Sequence, residues 1–221
     1  MAQAGLERLL LENAFNSDTF CQNRIDGNYV VPRVCNQFAQ CTGKGRLDIQ
    51  NCPSSLFYDP SKDACDFANK VQCLEYQGDV CYGAKDSSFG RFKLRRSGKL
   101  YQLTLEHKSG FVSCDATNPR ANSNWGCGVG FRSVQMGTVV TRRNDSVVFP
   151  FFALQDDGYY FLARTDTFSR TLTLLNFTRD ISVSASEELR VWHSEDLVNK
   201  DNEEVNNGGK HCVRVWAVIT N

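Results

Sequence analysis

From Arg91 to the C-terminus, apolar and polar residues alternate in short runs separated by turn residues. In LYQLTLEH (100–107), Leu100, Gln102, Thr104 and Glu106 fall on one side of an extended chain and Tyr101, Leu103 and Leu105 on the other, the period of a half-buried strand. Similar runs are RFKLR (91–95), GVGFRSVQM (128–136), TVVTR (138–142), SVVFPFFAL (146–154), YYFLAR (159–164), TLTLLNF (171–177), LRVWH (189–193) and CVRVWAVIT (212–220). No window keeps a helical period. About nine strands at short intervals predict an antiparallel β-sandwich or jelly roll over 89–221.

Residues 17–75 read differently. NYVVP (28–32), RLDIQ (46–50) and SLFYD (55–59) are short β-prone runs divided by Asp26-Gly27, Gly43-Lys44-Gly45, Cys52-Pro53-Ser54-Ser55 and Asp59-Pro60. So few apolar residues cannot outweigh the ordering entropy of the chain, and cross-links must supply the difference. Six of the ten cysteines lie here, as C-x13-C-x5-C-x10-C-x12-C-x7-C. Zinc would call for closer C-x2–4-C knuckles, whereas this density reads as a disulfide framework formed in an oxidising compartment. Spacing alone leaves fifteen pairings open. The expectation is an all-β chain: an N-terminal segment (1–16), a stapled module (17–75), a Gly/Asp/Ser-rich linker (76–88) and the sandwich (89–221).

The spacing carries a resemblance. With Gly27-x-Tyr29 after the first cysteine, Phe38 between the second and third, and CPSSLFYDPSKDACDF from Cys52, it resembles the chitin-binding type-2, or peritrophin-A, family. The resemblance implies Cys21–Cys41, Cys35–Cys73 and Cys52–Cys65. It also implies that YDPSKDAC is a hairpin beside which Cys65-Asp66-Phe67 offers an aromatic. A polymer of N-acetylglucosamine presents apolar sugar faces, amides and hydroxyls without charge, so its surface needs flat rings and fixed polar groups. The candidates are Phe38, Tyr58, Asp66 and Phe67. Against them, one of Phe57 and Tyr58 must point inward, because a strand alternates faces. The chain departs from the family in having Phe38-Ala39 where two aromatics are common, and Phe67-Ala68 where Trp-Pro is frequent. Fewer stacking rings imply weaker chitin binding or a different glycan.

Four cysteines remain. Cys114 and Cys127 flank DATNPRANSNWG and are expected to pair locally; Cys81 and Cys212 would then join the first and last strands of the sandwich. The loop HSEDLVNKDNEEVNNGGKH (193–211) is rich in acids and amides, the donors calcium takes from flexible loops. An acid, a gap and then Asn-Asn-Gly before the final strand is similar to the bacterial calcium-dependent galactose lectins. That similarity implies a calcium, and through it a sugar, held by Asp196, Asn206 and Asn207, with Asp201 or Glu195 in support. The plainer reading is a solvated polar loop.

Net charge is zero, which gives no electrostatic case for a nucleic-acid or anionic-membrane partner, and no 18-residue apolar run exists. His107, His193 and His211 fall in no H-E-x-x-H pattern, there is no G-x-S-x-G, and Asp156-Asp157 before Gly158 is turn chemistry. The expectation is therefore a non-enzymatic binder of chitin or a related glycan, secreted, requiring no cofactor, with calcium as a candidate ligand and a second glycan or a protein as partner of the sandwich. The alternative is an extracellular matrix protein in which the small module is scaffold and the sandwich binds protein. Ala2-Gln3-Ala4 before Gly5 has the small-x-small form of a signal-peptidase site, so the precursor is expected to start upstream of Met1. Two N-glycosylation sequons, at Asn144 and Asn176, agree with secretion.

Overall fold

The computed structural model describes residues 19–22, 24–31, 34–43, 45–54, 56–68, 70–71, 73–150, 154, 158–163, 165–176, 180–198 and 204–220. The expected 1–16 segment, Asp201 and Asp156-Asp157 lie outside them. The chain divides into two compact units, one reaching Glu75 and one spanning Tyr76–Ile219.

In the first unit, β1 (Gly27–Val30), β2 (Gln37–Thr42) and β3 (Arg46–Asn51) form an antiparallel sheet in chain order. Strands β4 (Leu56–Asp59) and β5 (Ala64–Phe67) form a separate hairpin. Each has its own small core built around sulfur. Phe20, Val31 and Ala39 pack with Cys21 and Cys41, while Phe57, Ala68 and Val71 pack with Cys35 and Cys73. The bridges are Cys21–Cys41, Cys35–Cys73 and Cys52–Cys65, the pairs that the resemblance implies. Ala39 is fully buried, opposite Tyr29 on one strand and Ile49 on the other. A second aromatic at this position would point into the core.

The second unit is a β-sandwich. Its first strands are β6 (Glu75–Gly83), β7 (Gly90–Lys93), β8 (Gly98–Gly110) and β9 (Val112–Ser113). The middle holds β10 (Asn122–Ser123), β11 (Gln135–Met136), β12 (Thr138–Arg142), β13 (Val147–Phe149), β14 (Tyr160–Phe161) and β15 (Thr171–Leu175). The last are β16 (Ser182–Val183), β17 (Glu188–His193) and β18 (Lys210–Thr220). One sheet has the order β13-β12-β17-β7; the other runs β15-β8-β18-β6, with β16 also on β8. Their inner faces share one core, including Tyr82, Leu103, Leu105, Trp125, Phe149, Leu174 and Val215. Cys81–Cys212 ties the neighbouring strands β6 and β18, and Cys114–Cys127 closes the 114–127 loop.

Four expectations are corrected. The 76–88 linker is mostly strand: in β6, Val80 and Tyr82 face inward and Asp79 and Cys81 outward. Gly78 and Asp79 hid that alternation, because pairing with β18 satisfies the backbone regardless of side chain. The 128–136 run is a 3-10 turn (Gly130–Val134) before the two-residue β11. Gly128 cannot accept a side chain there, since a Cβ would lie 2.5 Å from the carbonyls of Arg120 and Asn122. In the 146–154 run, β13 ends at Phe149, before Pro150, which has no amide to donate; residues 151–153 lie outside the described residues. Finally, the 193–211 loop begins with a short helix, α1 (Ser194–Val198).

Candidate carbohydrate-binding site

The β4–β5 hairpin is built by its turn. Pro60 presets the backbone after Asp59, whose Oδ1 accepts from the amide (2.9 Å) and hydroxyl (2.6 Å) of Ser61. Asp63 closes the turn at φ 50°, a conformation short polar side chains tolerate. The register sets Leu56 opposite Phe67, Phe57 opposite Asp66 and Tyr58 opposite Cys65. Alternation therefore puts Phe67 and Tyr58 on one face of the hairpin, and Asp66 on the other with Phe57.

The four candidates do not share a role. Tyr58 is buried: its ring stacks on Phe38 with centroids 5.0 Å apart, and its hydroxyl donates to Asp63 at 2.8 Å. Burial, then the hydrogen bond to Asp63, pushes its phenol well above the ordinary range. Asp63 also accepts from Asn28 Nδ2 at 3.0 Å, so this pair fastens the hairpin to β1 as Phe38 fastens it to β2. Tyr58 and Phe38 hold the module together.

Phe67 is different, being 60% exposed. Its backbone is pinned by the carboxylate of Asp66, which accepts the Phe67 amide at 2.7 Å. Asp66 also pairs with Lys62, whose ammonium holds that carboxyl below its usual range. Lys70 Nζ sits 5.3 Å from the Phe67 ring centroid. Among the described residues, the exposed Phe67 ring, with the Lys70 ammonium beside it on a hairpin tied by Cys52–Cys65, is what this unit offers a neutral sugar face.

Of the expected calcium ligands in the second unit, Asp201 lies outside the described residues, and Asp196, Asn207 and Glu195 have other partners. Asp196 is buried on α1, and both its oxygens accept backbone amides, from Ser87 (2.7 Å) and Ser88 (2.9 Å). Glu204 accepts from the Asp86 amide at 3.1 Å, and Asn207, also buried, donates to the Ala84 carbonyl at 3.1 Å. Burial, then the hydrogen bond shared with Glu204, pushes Asp196 up to about 6. These side chains anchor the 84–88 turn, where Asp86 and Ser87 have positive φ. Asn206 is exposed, and its backbone carbonyl accepts the Ala116 amide. Glu195 is engaged elsewhere: Arg132 Nη1 donates to it at 2.6 Å, with the guanidinium 4.6 Å from the Tyr159 ring centroid. Among the described residues, no three His, Cys, Asp or Glu side chains converge to hold a metal.

Sequence reasoning missed two buried constellations. One is this Arg132–Glu195–Tyr159 cluster. The other is a chain in which His107 Nδ1 meets His211 Nε2 at 2.9 Å and His211 Nδ1 meets the Tyr82 hydroxyl at 3.2 Å. His211 is fully buried, with the Trp125 ring centroid 4.9 Å away. Their members are far apart in the chain, so no local motif signals them.

Comparison with known proteins agrees with this division. Residues 21–73 match the model of the chitin binding Peritrophin-A domain. Chondroitin proteoglycan 1 of Caenorhabditis elegans is 40% identical over 64 residues, which are 28% of this chain and 11% of that protein. The chain thus spans about a tenth of that relative's length. Among solved structures, AJLec from the sea anemone Anthopleura japonica superposes with a TM-score of 0.60 at 26% identity, over 68% of this chain and all of the other.

Proposed function

We propose that this is a secreted, non-enzymatic carbohydrate-binding protein whose first unit takes a chitin-like polymer of N-acetylglucosamine. The observation that carries the reading is Phe67: a solvent-facing ring on a disulfide-locked hairpin, within residues that match a chitin-binding domain. The ring stacks on the apolar face of a pyranose, while the Lys70 ammonium beside it meets a hydroxyl or the amide. The bridges fix the hairpin beforehand, which lowers the ordering cost of binding. A single exposed ring among the described residues of the first unit makes for modest affinity.

The likeness to AJLec supports a glycan as the sandwich's own ligand. Binding rather than catalysis is favoured because the adjacent His193, Ser194 and Glu195 are all buried, out of reach of a polymer. Secretion is supported by the bridging of all ten cysteines. In the described part of the 193–211 loop, Asp196 and Glu204 accept backbone amides and Glu195 accepts from Arg132.

Retention of the full chain on chitin beads at moderate salt tests the reading. Wild type should be held and eluted by N-acetylglucosamine oligomers, and Phe67→Ala should elute earlier with its fold intact. Passage of wild type through the column, or equal retention of Phe67→Ala, would overturn it.

A further inference from the structure

The two sequons have opposite surroundings. Asn144 lies in the turn joining β12 to β13, where Arg142 N donates to Ser146 O at 2.9 Å and Asp145 turns the chain at φ 62°. It is exposed, and its Oδ1 accepts from the Ser146 hydroxyl (2.8 Å) and amide (3.3 Å). The sequon's own third residue thus holds the carboxamide by its oxygen, leaving Nδ2 toward solvent. Asn144 also lines an open groove of about 450 Å3 with Lys93, Arg142, Arg143 and Glu188, which leaves room for a first sugar.

Asn176 is 5% exposed at the end of β15. Its amide donates to the Tyr101 carbonyl at 2.9 Å, and its Nδ2 to the Leu100 carbonyl at 3.4 Å. A pyranose on that nitrogen would have to occupy space now filled by β8, whose Leu100 and Leu103 belong to the core.

We propose that Asn144 carries an N-linked oligosaccharide in the folded protein and that Asn176 does not; this rests on the secretory reading above. Nδ2 of Asn144 attacks the anomeric carbon of a polyisoprenyl-pyrophosphate oligosaccharide. The C–N bond forms, the C–O bond to pyrophosphate breaks, and one amide proton passes to the transferase's base. Transfer precedes folding, so both sequons meet the enzyme; only the chain unmodified at Asn176 can close β15 against β8. The glycan also serves the fold. Among the described residues β13 is the edge of its sheet, and an oligosaccharide at the adjoining turn shields that edge from pairing with other chains.

The test is expression of the full chain behind an appended signal peptide in a eukaryotic host, which separates failure of the site from failure of secretion. Secreted and cell-retained protein are both treated with a peptide N-glycosidase, and peptide masses report Asn-to-Asp conversion. Secreted wild type should lose one oligosaccharide, with conversion at Asn144 alone. Asn144→Gln and Ser146→Ala should both abolish the loss, the latter with Asn144 intact, and Thr178→Ala should leave it unchanged. An unconverted Asn144 in both fractions, or conversion of Asn176 in secreted protein, would overturn the proposal.

Discussion

His107 Nδ1 and His211 Nε2 stand 2.9 Å apart, and the second ring lies wholly inside the sandwich. One nitrogen must donate and the other accept, so the pair is stable with a single proton between the facing nitrogens. Burial, then the charge His107 would bring, pushes His211 down to about 3. Its folded value is below its unfolded one, so its contribution to stability is present above about pH 6.5 and is lost as the solution is acidified toward 3. The slope approaches about 1.4 kcal/mol per pH unit for one proton. Urea unfolding at pH 7, 5.5 and 4 should show this loss, and His211→Phe should flatten it.

The strands of the sandwich were legible because alternation survives wherever one face meets the core, as in Leu103 and Leu105 of β8. It failed where something other than a side chain decides the backbone. Gly78 in β6 is held by its neighbouring strand, and Gly128 by the carbonyls crowded around it. The first module's bridges were legible only through a family pattern, since spacing left fifteen pairings. At the candidate site, Phe67 could be read as an aromatic offered to solvent. The burial of Tyr58 could not, because its partners Phe38 and Asp63 come from opposite sides of its strand in sequence. Asp196 looked like a calcium ligand for want of any sign that the distant Ser87 and Ser88 amides would occupy it.

Tyr58 and Phe67 share a face of one hairpin and should respond oppositely to substitution. Tyr58→Phe removes the hydroxyl held by Asp63 and should cost about 1 kcal/mol of module stability, leaving chitin retention unchanged. Phe67→Ala removes an exposed ring, so stability should move by less than about 0.5 kcal/mol. Its chitin affinity should fall by about 2–10-fold, the worth of one stacked ring. Thermal melts and retention measured on both variants check the division.

The bridges should rank by the loop each closes. Cys52–Cys65 spans 13 residues and Cys81–Cys212 spans 131. Chain-entropy arguments give about 3 kcal/mol for the first and about 5 kcal/mol for the second. Paired Cys→Ser substitutions, followed by denaturant unfolding of each unit's own signal, should reproduce that order. Equal losses would mean that strain or residual structure outweighs loop length.

Asp196 separates structural anchoring from calcium binding. Asp196→Ala strips the Ser87 and Ser88 amides of their acceptors and should cost about 1–3 kcal/mol, the penalty for leaving buried donors unmet. That loss should be the same in calcium and in chelator, whereas a calcium ligand would lose stability only when the ion is present. The pH response gives a second reading. With its carboxyl pushed up to about 6, Asp196 contributes stability that is full below its unfolded value and lost as pH rises through 6. This is the opposite sense to His211 over the same range. Asp196→Asn should therefore steepen the net acid loss between pH 7 and 4.5, where His211→Phe reduces it, and melting curves of the two variants across that interval decide the assignment.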